Sequence, residues 1–378
     1  MASRPEDSAL REAVVRHAGT IDAAFDFVQA HPELSHQEVE CSAYLADTLE
    51  GLGLRVERGI AEMPTAFRAT LEGRGGPGRN VGIVALYDAV SAVPAEGGIV
   101  AVHSCGHGPI AASVVGAAAA LADERDQLAG SVVIMGCPAD EIHATETAAR
   151  GGGKTISVDA GAWDDIDAAL YAHPEFEDTA WTASLWMRRD MARLSAKRDL
   201  GEDAAQPVLD FGTAAIAAVE GLPAGRAMLE RLELDGDVEA GGGLVGRATY
   251  LIWAEDEAGL DELAGTIRGR VGADVEWTLG RPVPSVAPDP SVRAAVEDAL
   301  TASGRPPNTD PPPLPFATDF GAITRRVPSA LIGVARAEGW AFHTPDGGEQ
   351  FASEAGRESA RGMAEVLALT AARLTAAD

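Results

Sequence analysis

The sequence is poor in cysteine and lysine, and it contains no long apolar run. Three cysteines, Cys41, Cys105 and Cys137, cannot build a disulfide framework, and an odd number of them indicates a reducing compartment. No stretch approaches the ~20 apolar residues that span a bilayer, and the N-terminus lacks the apolar core of a signal peptide. We therefore expect a cytoplasmic protein. Only Lys154 and Lys197 are lysines, which we interpret as a compositional bias toward arginine rather than as function.

Basic residues are also scarce relative to acidic ones. The 30 Lys and Arg against 58 Asp and Glu leave a formal net charge of −28. Such a surface repels nucleic acid and anionic membranes, so neither is an expected partner. The 378 residues are enough for a full core and predict two domains, since single cores rarely grow beyond roughly 250–300 residues.

The apolar pattern predicts an α/β protein with a mixed sheet flanked by helices. Helical periodicity covers residues 8–30, and a second helix over 36–52 places Val39, Tyr44, Leu45 and Leu49 on one face. Short apolar runs follow (RATLEG, NVGIVALYDAV, GSVVIMGCPA, DAALYAHP and SALIGVA), as is typical of strands buried on both faces. An Ala-rich helix, with Pro109 in its first turn, separates two of them.

Residues 181–285 have a different character. TYLIWAED alternates like a half-buried strand, AGLDELAGTIRGRV has the pattern of an amphipathic helix, and DVEWTLG is a further short strand. They predict an α+β lid inserted between two parts of a catalytic domain, residues 1–180 and 286–378. We interpret TYLIWA as a possible edge strand through which the lid could form a homodimer.

Metal-binding residue types stand where strands and turns end. Asp88, Asp140 with Glu141, and His173 each close a predicted strand, and ligands gather at the carboxyl ends of parallel strands. Cys105 and His107, in HSCGH, and His343, in FHTP, add donors from other segments; Cys, His and Glu suit zinc and its neighbours.

Seven short sequence motifs along the chain extend this pattern: HPELSHQE (31–38), YDAV (87–90), HSCGH (103–107), PADE (138–141), GAWDDIDAALYAHP (161–174), TDFG (318–321) and FHTP (342–345). With them the chain resembles the aminoacylase-like metallo-amidohydrolases of metallopeptidase family 20, in the branch that has a cysteine in its metal site. The resemblance implies a dinuclear site, with Zn or Mn as the leading ions, and a lid that usually dimerises. It gives ligand roles to five residues: Cys105, His107, Glu141, His173 and His343.

The resemblance also implies roles around these ligands. Asp140 falls where the family has a glutamate that acts as general base, although an N-cap role is an open alternative. Asp88 supports catalysis, and Asp88 and His103 fall at positions that orient ligands. Asp319, in TDFG, and His143, just after PADE, are candidate supporting or substrate-contacting groups, while His143 could equally be a solvated residue.

The chain departs from the family pattern in its base and its lid. Asp140 is one methylene shorter than the usual glutamate, which shortens its reach. Gly108 replaces the usual Asp or Asn. In the lid, LSAKRDL lacks the expected histidine, and Trp253 stands about where an arginine is expected.

We therefore expect a metal-dependent hydrolase of the amide bond in an N-acyl amino acid, dipeptide or similar small conjugate. The alternative is a catalytically altered or inactive relative that binds a small molecule or performs a different reaction. A weaker third hypothesis makes Cys105 a covalent nucleophile.

Overall fold

The computed structural model describes residues 4–92, 98–141, 150–196, 206–236 and 243–376. The chain divides into two compact units. Unit 1 comprises Met1–Ala183, Val286–Pro312 and Asp319–Asp378, and unit 2 comprises Ser184–Ser285 and Pro313–Thr318. Across those described ranges, no helix is both long and apolar enough to cross a membrane.

The described helices and strands are as follows. The helices are α1 (Asp7–Arg16), α2 (Ala18–Ala30), α3 (Val39–Gly51), α4 (His107–Asp123), α5 (Gly153–Asp159), α6 (Gln206–Ala217), α7 (Glu257–Val271), α8 (Pro290–Ala302), α9 (Phe320–Thr324), α10 (Pro345–Phe351) and α11 (Glu354–Thr375). The strands are β1 (Arg55–Arg58), β2 (Phe67–Glu72), β3 (Asn80–Ala85), β4 (Val90–Ala92), β5 (Val100–Val102), β6 (Ser131–Gly136), β7 (Ala168–Glu175), β8 (Thr179–Ala180), β9 (Trp186–Ala196), β10 (Ala227–Gly236), β11 (Leu244–Ala254), β12 (Glu276–Leu279) and β13 (Ser329–Ala335).

Unit 1 is built on a mixed seven-stranded sheet in the order β1-β2-β6-β3-β7-β13-β8. The inner strands β6, β3, β7 and β13 run parallel to one another, while β1, β2 and β8 pair antiparallel at the two edges. All of β6 and β7 is buried, which explains their continuous apolar runs. The predicted α/β fold with a mixed sheet is confirmed.

Helix α4 lies in the core of unit 1, and α2 and α11 pack against it. Every residue from His107 to Leu121 is buried, and most are small. Small residues let the neighbouring helices approach closely. A Cβ on Gly116, for example, would lie 2.7 Å from the Ile21 side chain. This close packing fixes the helix whose first residue is His107.

Unit 2 contains an antiparallel sheet in the order β10-β11-β9-β12, with α6 and α7 packed on it. The interpretation of TYLIWA as an edge strand is wrong, because β11 lies between β10 and β9. Tyr250, Leu251 and Ile252 are all buried. Strands β10 and β12 form the edges of this sheet.

Two helix predictions also need correction. The helical region 8–30 consists of two helices, since α1 ends and α2 begins at His17. Val39, predicted on the buried face of the next helix, is 64% exposed at the first position of α3, while Leu45 and Leu49 are buried as predicted.

Candidate metal centre and catalytic site

A tight turn presents Cys105 and His107 on either side of Gly106. Gly106 has φ +95°, a conformation that L side chains rarely adopt, and it caps the N-terminus of α4. A Cβ at this position would also lie 2.8 Å from Cγ of Pro174, the residue after His173. The turn therefore needs glycine, and it packs directly against the strand that carries His173, another predicted ligand.

The five predicted ligands come together in unit 1. One ligand atom from each of Cys105, Glu141 and His343 lies within 4.8 Å of the other two. His173 Nε2 lies 3.9 Å from Cys105 Sγ. His107 Nε2 lies 3.7 Å from Glu141 Oε1, and His343 Nε2 lies 3.7 Å from Glu141 Oε2. Three histidines from separate positions along the chain thus converge on Cys105 and Glu141.

His343 reaches this cluster from an irregular loop. Its backbone has φ +57°, which is uncommon for a residue with a side chain. The His343 amide donates a hydrogen bond to the carbonyl oxygen of Ser104 at 2.9 Å. This bond ties the loop to the Cys105 turn and holds the strained backbone in place.

Asp88 fixes two of the predicted ligands. His107 Nδ1 lies 2.7 Å from the Asp88 carbonyl oxygen and 3.0 Å from Oδ1, so Nδ1 carries the proton and Nε2 faces the cluster. Asp88 Oδ2 accepts hydrogen bonds from the Glu141 amide at 2.9 Å and from the Ser35 hydroxyl at 2.8 Å. These contacts have the form of the ligand-orienting role predicted for Asp88.

The sequence analysis missed two carboxylates that support the predicted ligands and the turn before Asp140. Glu175 Oε1 lies 3.1 Å from His173 Nδ1, which directs Nε2 of that ring toward Cys105. Glu38 accepts a hydrogen bond from the Ala139 amide at 2.9 Å and supports the turn before Asp140, where Ala139 has φ +59°. Each lies inside one of the seven sequence motifs or directly beside one, and an acidic residue in such a place was the available signal.

Asp140 faces both the cluster and a buried lysine. Its Oδ2 lies 3.4 Å from His107 Nε2, and its Oδ1 forms an ion pair with Lys154 Nζ. Lys154 Nζ also lies 2.6 Å from Asp319 Oδ1. Lys154 has no exposed surface. The interpretation of the lysines as compositional bias did not anticipate that Lys154 is buried between two carboxylates.

The charges of the cluster depend on one another. Burial disfavours the Cys105 thiolate, but His343, His107 and His173 outweigh it and hold the pKa of Cys105 well below its usual range. Burial and the negative charge of Cys105 raise the pKa of Glu141. In His107, Asp88 and Asp140 overcome burial and raise the pKa of the ring. The thiolate of Cys105 and the neighbouring imidazoles thus favour each other's charged forms.

The pKa values of Asp140 and Asp319 also depend on burial and on neighbouring charges. Burial alone would raise the pKa of Asp140, but Lys154 and His107 hold it well below its usual range. Burial, together with Asp140, raises the pKa of Asp319 to about 6 despite the nearby ammonium of Lys154. Lys154 and His107 therefore favour the ionised form of Asp140.

The residues fit a divalent cation. Among the described residues, His107 Nε2 and Glu141 Oε1 find no hydrogen-bond partner, and burying such polar atoms without a partner is costly. Thiolate, imidazole and carboxylate are the donors that zinc prefers, and a cation would balance the negative groups.

The remaining predicted residues are less informative. His103 is buried, and burial together with the charge of His107 lowers its pKa to about 4. His143 lies outside the described residues, as does part of LSAKRDL. Trp253 lies on β11 in unit 2 and is partly buried.

Known proteins share both the sequence pattern and the fold. Over 184 residues the chain is 32% identical to one of the subunits of p-aminobenzoyl-glutamate hydrolase from Escherichia coli, a match that covers 45% of this chain and 34% of that protein. It is 31% identical over 152 residues to thermostable carboxypeptidase 2 of Saccharolobus solfataricus, covering 39% and 37%. The chain thus spans little more than a third of the length of these relatives.

The fold resembles that of the YXEP protein of Bacillus subtilis, described as a dinuclear metal binding peptidase from the M20 family. The TM-score is 0.62 with 19% sequence identity, and the likeness covers 94% of this chain and 98% of that one. The sequence profile of Peptidase family M20/M25/M40 matches residues 85–368, which include all five predicted ligands. The chain therefore belongs to Peptidase family M20/M25/M40.

Proposed function

We propose that this protein is a metal-dependent amidohydrolase that cleaves the amide bond of an N-acyl amino acid, a dipeptide or a similar small conjugate with an activated water. The observation that carries the proposal is the convergence of Cys105, Glu141 and His343 within 4.8 Å. His107 and His173 stand directly beside this group. Such a donor set, assembled from separate strands and loops, has no evident purpose in a metal-free core.

Cys105, His107, Glu141, His173 and His343 would hold two divalent ions, with Zn²⁺ and Mn²⁺ as the leading candidates. When bound, such ions polarise a carbonyl group and lower the pKa of water toward ~7. Asp88 and Glu175 would keep the ring nitrogens of His107 and His173 directed at the ions.

Asp140 would act as the proton carrier. Lys154 and His107 favour its ionised form, and its Oδ2 lies beside His107 Nε2 at the edge of the ligand cluster. This oxygen would accept a proton from the attacking water and return it to the leaving nitrogen.

The names of the relatives support the proposed substrate class. The Escherichia coli protein is named for the hydrolysis of p-aminobenzoyl-glutamate, an N-acyl amino acid, and the Saccharolobus protein is named a carboxypeptidase. We carry over only the amide between an acyl group and an amino acid. Because Trp253 stands where an arginine is expected, we do not carry over a contact to the substrate carboxylate.

We further propose that unit 2 forms a homodimer. Apolar side chains on α6 and on the edge strand β10 are exposed, including Leu209 (52%), Ile216 (53%) and Leu234 (44%). Light scattering would show twice the chain mass for the wild type. Ile216→Glu should give a monomer, whereas a dimer that survives this change and Leu234→Glu would contradict the proposed surface.

Metal analysis and a substrate panel test the main proposal. The purified protein, loaded with Zn²⁺ or Mn²⁺, should bind about two ions and hydrolyse N-acetyl and N-benzoyl amino acids, p-aminobenzoyl-glutamate or dipeptides. A chelator should abolish this hydrolysis. Cys105→Ser should lose metal and activity. Cys41→Ser is the control, because Cys41 is buried away from the cluster and donates instead to the His31 carbonyl oxygen.

The same experiment separates the alternatives. Turnover that persists without metal and disappears in Cys105→Ser would support a thiol nucleophile. Metal binding without turnover of any panel member would support the small-molecule binding protein, an alternative that the hydrolase and carboxypeptidase names of the relatives do not favour.

A further inference from the structure

Lys154 is a buried cation beside the candidate active site. It lies in the first turn of α5, and its ammonium group contacts one oxygen each of Asp140 and Asp319. The ammonium also lies 5.3 Å from the centre of the Tyr171 ring. Because removing a charge from water is expensive, a lysine with no exposed surface is stable only when its partners are fixed.

Asp319 fixes Lys154 in this position. Asp319 Oδ2 accepts a hydrogen bond from the Thr155 amide at 3.3 Å, which joins it to the same helix turn. A Cβ on Gly152 would lie 2.3 Å from that oxygen, so the backbone before Lys154 closely approaches Asp319. Asp319 therefore holds the lysine on one side, and its other ion pair is with Asp140.

The two oxygens of Asp140 face different partners. Oδ1 faces Lys154, whereas Oδ2 lies 3.4 Å from His107 Nε2. Two atoms bound to one zinc ion at ~2.0–2.2 Å lie roughly 3.4 Å apart in a tetrahedral site. Oδ2 is thus near enough to His107 for Asp140 to compete for an ion that His107 binds. The ion pair between Oδ1 and Lys154 opposes that movement.

We propose that Lys154 is a positioning residue that holds the Asp140 carboxylate away from the metal ions and so keeps it available for proton transfer. The inference rests on the proposed metal centre. It also accounts for an aspartate at the base position: the shorter side chain is directed by a fixed lysine rather than by its own length.

Zinc affinity tests the inference without an assay of turnover. We would titrate the metal-free wild type, Lys154→Met, Asp140→Asn and the double variant with Zn²⁺ by calorimetry. Lys154→Met should tighten zinc binding by about 10- to 100-fold, the range in which groups around metal ligands alter affinity. In the Asp140→Asn background the same lysine change should have no effect, because no carboxylate remains to be released.

Other outcomes would overturn the inference. Unchanged or weaker affinity in Lys154→Met would show that the lysine does not restrain Asp140. Tightening that persists in the Asp140→Asn background would show simple repulsion between the ammonium and the ion. Absence of zinc binding by the wild type would contradict the metal centre and this inference together, whereas equal affinities in wild type and Lys154→Met would contradict this inference alone.

Two further variants guard against loss of folding. If Lys154→Met does not fold, the double variant Lys154→Met/Asp319→Asn replaces it. This variant also removes the carboxylate charge of Asp319, which would otherwise be buried without its lysine. Its zinc affinity should rise by the same factor. Arg373→Met breaks a partly buried pair with Asp7 (2.6 Å) and should destabilise the fold without changing zinc affinity. Where turnover is measurable, Lys154→Met should lower kcat by about 100-fold with little change in KM.

Discussion

Replacing Asp140 with glutamate distinguishes a base that is merely short from one whose position is set by its surroundings. The change restores the residue type expected from the family. In this structure, however, Lys154 already holds Oδ1, and Oδ2 lies 3.4 Å from His107 Nε2. One more carbon moves the carboxylate by about 1.5 Å. The longer side chain must leave Lys154 or approach His107.

The expected magnitude follows from this displacement. A misplacement of about 1 Å can cost roughly 100-fold in rate, so we expect kcat to fall by about that factor. Overpacking of the buried site should cost about 1–3 kcal/mol of folding free energy. Steady-state kinetics and thermal unfolding measure both effects. The control is Asp165→Glu, a change at an exposed carboxylate paired with Arg68. A kcat equal to or above that of the wild type would refute the reasoning.

Three further predictions concern the turn, a buried carboxyl and the metal. Gly106→Ala should weaken zinc binding and lower Tm, because φ is +95° and the new Cβ meets Pro174; unchanged zinc titrations would contradict this. Burial and Asp88 raise the pKa of Glu38 from 4.5 to about 8, so its carboxyl is protonated more readily in the folded state. The wild type should therefore lose stability relative to Glu38→Gln as pH rises from about 4.5 to 8, by at most ~1.4 kcal/mol per pH unit; urea unfolding of metal-free protein showing a constant difference would contradict it. Chelation should lower Tm, since ions at 100 times their Kd stabilise by about 2.7 kcal/mol; an unchanged Tm after confirmed metal removal would count against the site.

The sequence predicted the strands of unit 1 because burial on both faces leaves a direct signal. Strands β6 and β7 are continuous apolar runs, and each was placed correctly. The order of strands in unit 2 left no such signal. β11 alternates as an edge strand would, yet it lies inside the sheet, because the pattern of one strand does not record which strands pair with it.

The site divides in the same way. Short motifs in the sequence led to the prediction of Cys105 and His343 as ligands, and the fold brings both residues together with Glu141. No sequence motif indicated that Lys154 is the ion-pair partner of Asp140. Lys154 pairs with Asp319 across 165 positions of sequence, and charged residues are almost always exposed. Only the folded chain shows that this lysine is buried.

The central claim is that these side chains bind a pair of metal ions. A crystal structure of the zinc-loaded protein, with anomalous data collected above and below the zinc edge, tests it most directly. The account predicts two anomalous peaks among the five ligands, with Cys105 Sγ about 2.3 Å from at least one of them. A structure with no peak within bonding distance of Cys105, Glu141 or His343 would contradict it.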